Sequence, residues 1–153
     1  GGNAGGAVIS DDTLANTVAD LIARYGSRLD VDDLMERVRE RFARHGAGEL
    51  AMSVITWGEL RFGAEKSQAR SRSLADLAEL ARLIEVVPLP AQVGEHYGRI
   101  RATLQRSGQP IGNNDLWIAA HALAEGWTLV TNNEREFVRV EGLAVENWVN
   151  PSP

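Results

Sequence analysis

Two carboxylates stand at positions from which this chain could carry out metal-ion chemistry. Asp115 falls in the first turn of a predicted apolar helix that stops at Gly126. Glu59 opens a second predicted helix, which follows a predicted buried strand over 51–55. In alternating α/β folds the carboxyl ends of strands and the adjacent helix starts line the ligand crevice, so two such acids can share one cation. The sequence therefore predicts an acidic site at one edge of a sheet.

Each carboxylate also has a purely structural interpretation. Thr56 and Glu59 match a capping box, in which the Glu59 carboxylate accepts a hydrogen bond from the Thr56 backbone amide. Asp115 could interact with the helix dipole, with Asn113 or Asn114 as the N-cap. If the acids converge, their mutual repulsion requires a cation, and oxygen ligands without Cys or His favour Mg²⁺ or Mn²⁺. Such an ion can bind phosphate oxygens and activate water, as in nucleases.

The histidines offer a competing chemistry, which is metal-free acid–base cleavage of RNA. His96 and His121 could form the acid–base pair. However, His121 lies inside an Ala-rich predicted helix and is expected to be packed, while His45 precedes a glycine and is typical of a helix C-terminus. Sensitivity to a chelator separates this chemistry from the metal-dependent one.

The composition excludes several classes of protein. A chain of 153 residues with 44% hydrophobic content suits one domain, which we expect over 7–150, with 1–6 as a flexible tail or tag remnant. Cysteine is absent, which excludes disulfide scaffolds, thiolate zinc sites and cysteine nucleophiles. No apolar run approaches the roughly 20 residues of a membrane span. We therefore expect a cytoplasmic protein that does not contact membranes.

The net charge of −5 argues against non-specific coating of nucleic acid. A local basic face is still compatible with it, because all but one of the 16 basic residues are arginine, whose planar fork suits phosphate. The arginines cluster along three predicted helical segments, 37–44, 61–72 and 99–106. Solvated helix faces are the alternative interpretation of these clusters.

Strand and helix patterns alternate along the chain and predict an α/β fold with a mostly parallel central sheet. Apolar runs predict strands, and recurrence at three and four residues predicts helices. The strands are expected over 7–9, 51–55, 85–89, 128–131 and within 139–148. The helices are expected over 11–25, 31–45, 56–63, 74–84, 91–107 and from 115 to 125.

Three separated motifs resemble those of PIN-domain ribonucleases, in particular the VapC toxins of bacterial toxin–antitoxin pairs. They are SVITWGELRFGAEKS over 53–67, GNNDLWIAAH over 112–121 and VTNNEREF over 130–137. The resemblance covers residues 38–148. It implies a PIN-like three-layer α/β/α sandwich, an endoribonuclease that depends on Mg²⁺ (or Mn²⁺), and a cognate antitoxin that covers the acidic site. The TNNxREF ending resembles toxins that cut initiator tRNA.

Carried over by motif, the resemblance makes Glu59 and Asp115 metal-site acids. Asn132 and Asn133 stand where a further family acid is often found, and each could support the ion by orienting a water or a ligand. The family's first acid normally lies in a Leu-Asp-Thr-Asn run that closes the first strand, and this chain has no such run. The nearest equivalent is Asp11-Asp12-Thr13, and Asp12 is favoured because Thr follows it.

The departure at Asp12 leaves an alternative function open. If neither Asp11 nor Asp12 reaches Glu59 and Asp115, the chain is a catalytically impaired PIN-like module that binds the antitoxin, with a replaced N-terminal segment. Whether one of these aspartates joins the other two acids separates the alternatives.

Aromatic residues flank the motifs and predict an association surface. Trp57, Phe62 and Trp117 lie next to the acidic positions. Exposed aromatic side chains suit protein interfaces. We therefore expect the chain to form a homodimer or to bind an antitoxin helix.

Overall fold

A computed structural model of the chain describes residues 6–10, 36–37, 40, 43–44, 49–131 and 133–147. Its strands are β1 (Gly6–Ile9), β2 (Glu49–Ser53), β3 (Glu85–Val87), β4 (Thr128–Val130) and β5 (Val145–Glu146). Its helices are α1 (Val54–Glu65), α2 (Arg70–Leu83), α3 (Val93–Arg106), α4 (Asn113–Glu125) and α5 (Glu134–Phe137). The helix predicted over 11–25 lies outside the described residues. In the helix predicted over 31–45, the described residues Glu36, Arg37, Glu40 and Ala43 are helical, and Arg44 lies in a turn.

The five strands form one sheet in the order β3-β2-β1-β4-β5, and every neighbouring pair is parallel. This confirms the predicted parallel α/β architecture. The central strand β1 consists of small and β-branched apolar residues, as expected for a strand covered on both faces. Gly6 pairs with Glu49, so β1 begins one residue earlier than predicted and the expected tail does not extend to residue 6.

Two apolar cores lie on opposite faces of the sheet. Side chains alternate along β1, so Val8 belongs to one core while Ala7 and Ile9 belong to the other. The first core contains residues of α3 and α4, and the second contains residues of α1 and α2. The described helices thus cover both faces, which gives the three-layer α/β/α sandwich.

The boundary between β2 and α1 lies two residues before the predicted position. Val54 and Ile55 are β-branched residues, which favour a strand, yet both lie in the helix. Ser53 explains the difference, because its side chain accepts a hydrogen bond from the Ile55 backbone amide (3.2 Å) and caps the helix. Glu59 consequently lies in the second turn of α1 rather than at its start.

Helix α4 is placed by glycines at both ends. Gly112 occupies the N-cap, and Gly126 ends the helix with a φ of 70°, a left-handed conformation that glycine adopts without strain. Strand β4 follows directly, so α4 runs antiparallel to the strands and its first turn lies at their carboxyl edge. In the described part of the chain, no helix has the length and apolar character needed to cross a bilayer.

Candidate functional site

Buried hydroxyl residues mark the carboxyl edge of the three central strands. Ser53 ends β2, Ser10 follows β1 and Thr131 follows β4, and each is at most 3% exposed. The backbone amide of Ser10 donates to the Val130 carbonyl (2.9 Å), which holds β1 and β4 together at this edge. The strand order reverses between β1 and β4, and the crevice at such a switch point is where open α/β sheets bind ligands. The topology thus marks this edge as the candidate ligand crevice, independently of any motif.

The structure brings the two segments that carry the predicted acids into contact. Glu59 is exposed on α1, and its Oε1 accepts a hydrogen bond from Nδ2 of Asn114 on α4. Asn114 immediately precedes Asp115. The predicted approach of these two segments, which are 55 residues apart along the chain at this contact, is therefore observed.

Asp115 lies in the first turn of α4 and is partly exposed. Its Oδ2 lies 3.6 Å from the position that a Cβ on Gly112 would occupy, so the carboxylate folds back over the N-cap residue. The carboxylate is thereby close to the free backbone amides of the helix start, which favour negative charge. The same location leaves it accessible to a ligand at the edge of the sheet.

The helix caps that were predicted as structural alternatives for these motifs are wrong, because other residues occupy the N-cap positions. Ser53, not Thr56, caps α1, so Glu59 is not in the capping-box position. Thr56 is fully buried, and among the described residues its Oγ1 has no hydrogen-bond partner. Neither Asn113 nor Asn114 is an N-cap, because Gly112 holds that position and α4 has no side-chain cap. Capping therefore does not explain the side chains of Glu59, Asn113 or Asn114.

Asn133, a predicted supporting residue, occupies the N-cap position of α5. Its backbone amide donates to Thr131 Oγ1 (3.0 Å), and its Nδ2 donates to Glu136 Oε2 (3.1 Å). Glu136 was not predicted as a site residue, and this contact brings a further carboxylate next to the end of β4. The other predicted site residues, Asp12 with its alternative Asp11, and Asn132, lie outside the described residues.

The chemistry of the donors suits a hard divalent cation. Among the described residues no group of three or more acids or histidines is gathered as a metal site. Two carboxylates are nevertheless compatible with Mg²⁺, which keeps several waters and is usually bound by one or two carboxylates together with substrate phosphates. Glu59 and Asp115 would hold the ion.

The histidine alternative is disfavoured by burial. His121 is 1% exposed within α4, and its ring lies 5.7 Å from that of Trp127. Burial lowers the pKa of His121, with a smaller opposing effect from Glu125. His96 lies on α3 with its Nδ1 2.7 Å from Arg99. A buried, neutral His121 cannot serve as an acid or base for RNA, and His45 lies outside the described residues.

A chain of polar contacts beside Asp115 was not predicted from the sequence. Arg101 Nη1 donates to the Tyr97 hydroxyl (2.8 Å), and that hydroxyl donates to Asn113 Oδ1. The Tyr97 ring stacks on Trp117, with centroids 3.9 Å apart and planes inclined by 15°. The only available signal was helical spacing, since Tyr97 and Arg101 are four residues apart on α3.

Other arginines of the predicted clusters take part in structural ion pairs. Arg61 and Arg70 both contact Glu65, at 3.4 and 2.7 Å, and join α1 to the start of α2. The hydrogen bond from Arg70 lowers the pKa of the Glu65 carboxyl. The solvated-face interpretation therefore holds for these two residues.

The chain has clear relatives among known proteins. Residues 27–143 match the PIN domain family. A tRNA(fMet)-specific endonuclease VapC of Shigella flexneri is 46% identical over 111 residues, which are 72% of this chain and 83% of that protein. A ribonuclease VapC of Haemophilus influenzae is 44% identical over 103 residues, which are 67% of this chain and 78% of the relative.

A solved structure shares the fold as well as the sequence. The DNA-bound VapBC complex of Salmonella typhimurium superposes with a TM-score of 0.75 at 35% identity, over 93% of this chain and 97% of that one. The match spans both faces of the sheet, and the motifs around Glu59 and Asp115 lie within the family region. The chain therefore belongs to the PIN-domain family and, within it, to the VapC proteins.

Proposed function

We propose that this chain is the endoribonuclease toxin of a toxin–antitoxin pair and that it hydrolyses RNA phosphodiester bonds at the Glu59–Asp115 edge of its sheet. The hydrogen bond from Asn114 to Glu59 is the observation that carries the proposal. It joins the helix turn that carries Asp115 to the second acid. Both lie at the sheet edge where the strand order reverses, and open α/β sheets generally bind ligands at such an edge.

Glu59 and Asp115 provide the negative charge of the site, and Asp12 is proposed as the third acid. A bound Mg²⁺ or Mn²⁺ would neutralise the substrate phosphate and lower the pKa of a water molecule. Asn114 holds the Glu59 carboxylate in a fixed direction, and Asn132 or Asn133 would orient a water or a ligand. The partly exposed position of Asp115 admits the phosphodiester from solvent.

The relatives suggest the substrate and the partner. The Shigella flexneri relative is a tRNA(fMet)-specific endonuclease, and we infer an initiator tRNA substrate for this chain as well. The Salmonella typhimurium neighbour is a VapBC complex, which supports a cognate antitoxin as the protein partner. We also propose that the chain forms a homodimer and acts in the cytoplasm.

Cleavage of a labelled initiator tRNA with and without excess EDTA tests the proposed chemistry. We expect cleavage in Mg²⁺ or Mn²⁺, loss of cleavage with the chelator, and recovery when the ion is returned. Persistent cleavage in EDTA that leaves cyclic phosphate ends contradicts the metal mechanism. An absence of cleavage with every divalent ion, combined with intact antitoxin binding, identifies the inactive binding module instead.

A further inference from the structure

A cavity of about 210 Å³ lies between the end of α3 and the start of α4, beside the turn that carries Asp115. Its buried lining is apolar and consists of Leu104, Ile111 and Leu116. Its exposed lining consists of the polar residues Arg101, Gln105 and Asn113 together with Pro110. Asn113 and Leu116 of this lining belong to the first turn of α4, which is also the turn that carries Asp115.

We propose that this cavity binds one unpaired nucleobase of the RNA, next to the phosphodiester that is cut. The inference rests on the ribonuclease function proposed above. The cavity is smaller than the roughly 300–1,000 Å³ of sites for drug-sized molecules, which suits one flat ring system. An apolar interior with a guanidinium and two carboxamides around it matches the way proteins bind single-stranded bases, through stacking and through hydrogen bonds to base edges.

The polar groups are held in place before any ligand binds. The Tyr97 hydroxyl accepts from Arg101 and donates to Asn113 Oδ1, while the Tyr97 ring is fixed against Trp117. The Asn113 amide is thus oriented with its Nδ2 as the group that remains to contact a base. Side chains that are already ordered lose less entropy on binding, which strengthens the interaction.

The charge of Arg101 favours RNA over a protein segment as the occupant. Its guanidinium contacts the Tyr97 hydroxyl, and within the described ranges no carboxylate lies at ion-pair distance from it. A guanidinium without a carboxylate partner among the described residues can pair with a phosphate or stack on a base. An apolar side chain of an antitoxin would form no such interaction with the Arg101 guanidinium.

Nucleotide titration in EDTA tests the cavity without turnover. The ¹⁵N-labelled protein is titrated with each of the four nucleoside 5′-monophosphates, and ribose 5-phosphate serves as the probe that lacks a base. We expect at least one nucleotide to shift the side-chain amide signals of Asn113 and Gln105 saturably, and ribose 5-phosphate to leave them in place. Equal shifts with ribose 5-phosphate would show a phosphate site without base recognition and overturn the proposal.

Steady-state cleavage of tRNA by matched variants provides the second readout. Arg101→Ala should raise KM roughly tenfold and leave kcat within about twofold. Tyr97→Phe keeps the stack on Trp117 but releases Arg101, and should raise KM by a smaller factor. Arg82→Ala is the control, because it removes another exposed arginine, which lies next to the start of β3 at the opposite edge of the sheet.

The outcomes separate this inference from the proposed function. An unchanged KM in Arg101→Ala, or loss of antitoxin binding with an unchanged KM, overturns the nucleobase site while the ribonuclease function stands. A wild-type protein that cuts no RNA overturns the proposed function. In that case the titration in EDTA still decides whether the cavity binds a nucleobase.

Discussion

Asp115→Asn separates a metal-site acid from a helix-dipole partner. The substitution is nearly isosteric at the start of α4 and removes one negative charge. The dipole interaction that is lost is worth about 0.3–1 kcal/mol at an exposed helix terminus. For a domain of this size, 1 kcal/mol shifts Tm by roughly 2–4 °C, so Tm should change by only a few degrees. Catalysis should fall much further, because losing a ligand charge costs several kcal/mol, or at least about a hundredfold in rate.

The assay measures tRNA cleavage and thermal unfolding on the same purified variant, each with and without Mg²⁺. Wild-type protein should gain Tm when Mg²⁺ is added, because a ligand that binds the folded state stabilises it, and the variant should lose most of this gain. Glu59→Gln should behave in the same way. Asp76→Asn is the control, since it removes a partly exposed aspartate from α2, away from the site. An Asp115→Asn protein with full activity would refute the metal-site assignment.

Three further predictions address other parts of the structure. Asn114→Ala should lower kcat/KM by about 10- to 100-fold, because Asn114 orients the Glu59 carboxylate. Tm should change little, because the contact is exposed. Wild-type kinetics in this variant would show that the contact has no role in catalysis. Burial lowers the pKa of His121 from its ordinary value of 6.5, so below about pH 6.5 the unfolded chain binds a proton that the folded chain does not. The free energy of unfolding should therefore fall with decreasing pH, by at most about 1.4 kcal/mol per unit, and His121→Leu should flatten this slope in urea titrations. Phe62 is 62% exposed on α1, and Phe62→Ser should weaken association with the antitoxin or a second copy in analytical ultracentrifugation while Tm is retained; unchanged association would place the interface elsewhere.

Most of the described fold could be predicted because the signals for it are local. Apolar runs between glycine and polar breaks identified all five strands, and spacing of three and four identified α2, α3 and α4. The β2–α1 boundary was misplaced, because Val54 and Ile55 have strand propensity and the cap at Ser53 outweighs it. Helix α5 was missed, because four residues are too few to show a helical period.

The site could be predicted only in part, because its contacts are not local. Glu59 and Asp115 could be singled out, since each is an acid beside a predicted strand–helix junction. Their connection through Asn114 spans 55 positions, and the contact of Tyr97 with Asn113 spans 16. No periodicity within one element encodes such contacts. The predicted surface of exposed aromatic side chains agrees with the structure only at Phe62, which is exposed. Trp57 and Trp117 are partly buried and pack against the two cores.

The way α4 begins argues for an active site rather than an inert binding module. Asn113 and Asn114 are among the best capping residues, yet the cap is Gly112 and both amides reach across to other helices. The contact of Asn114 with Glu59 is exposed, and exposed polar contacts add little stability. Where a sequence departs from a local rule without a gain in stability, function is the expected reason. An enzyme that places a cation and a phosphate at this edge needs a carboxylate held in one direction by the turn that carries Asp115, and the hydrogen bond from Asn114 to Glu59 provides this.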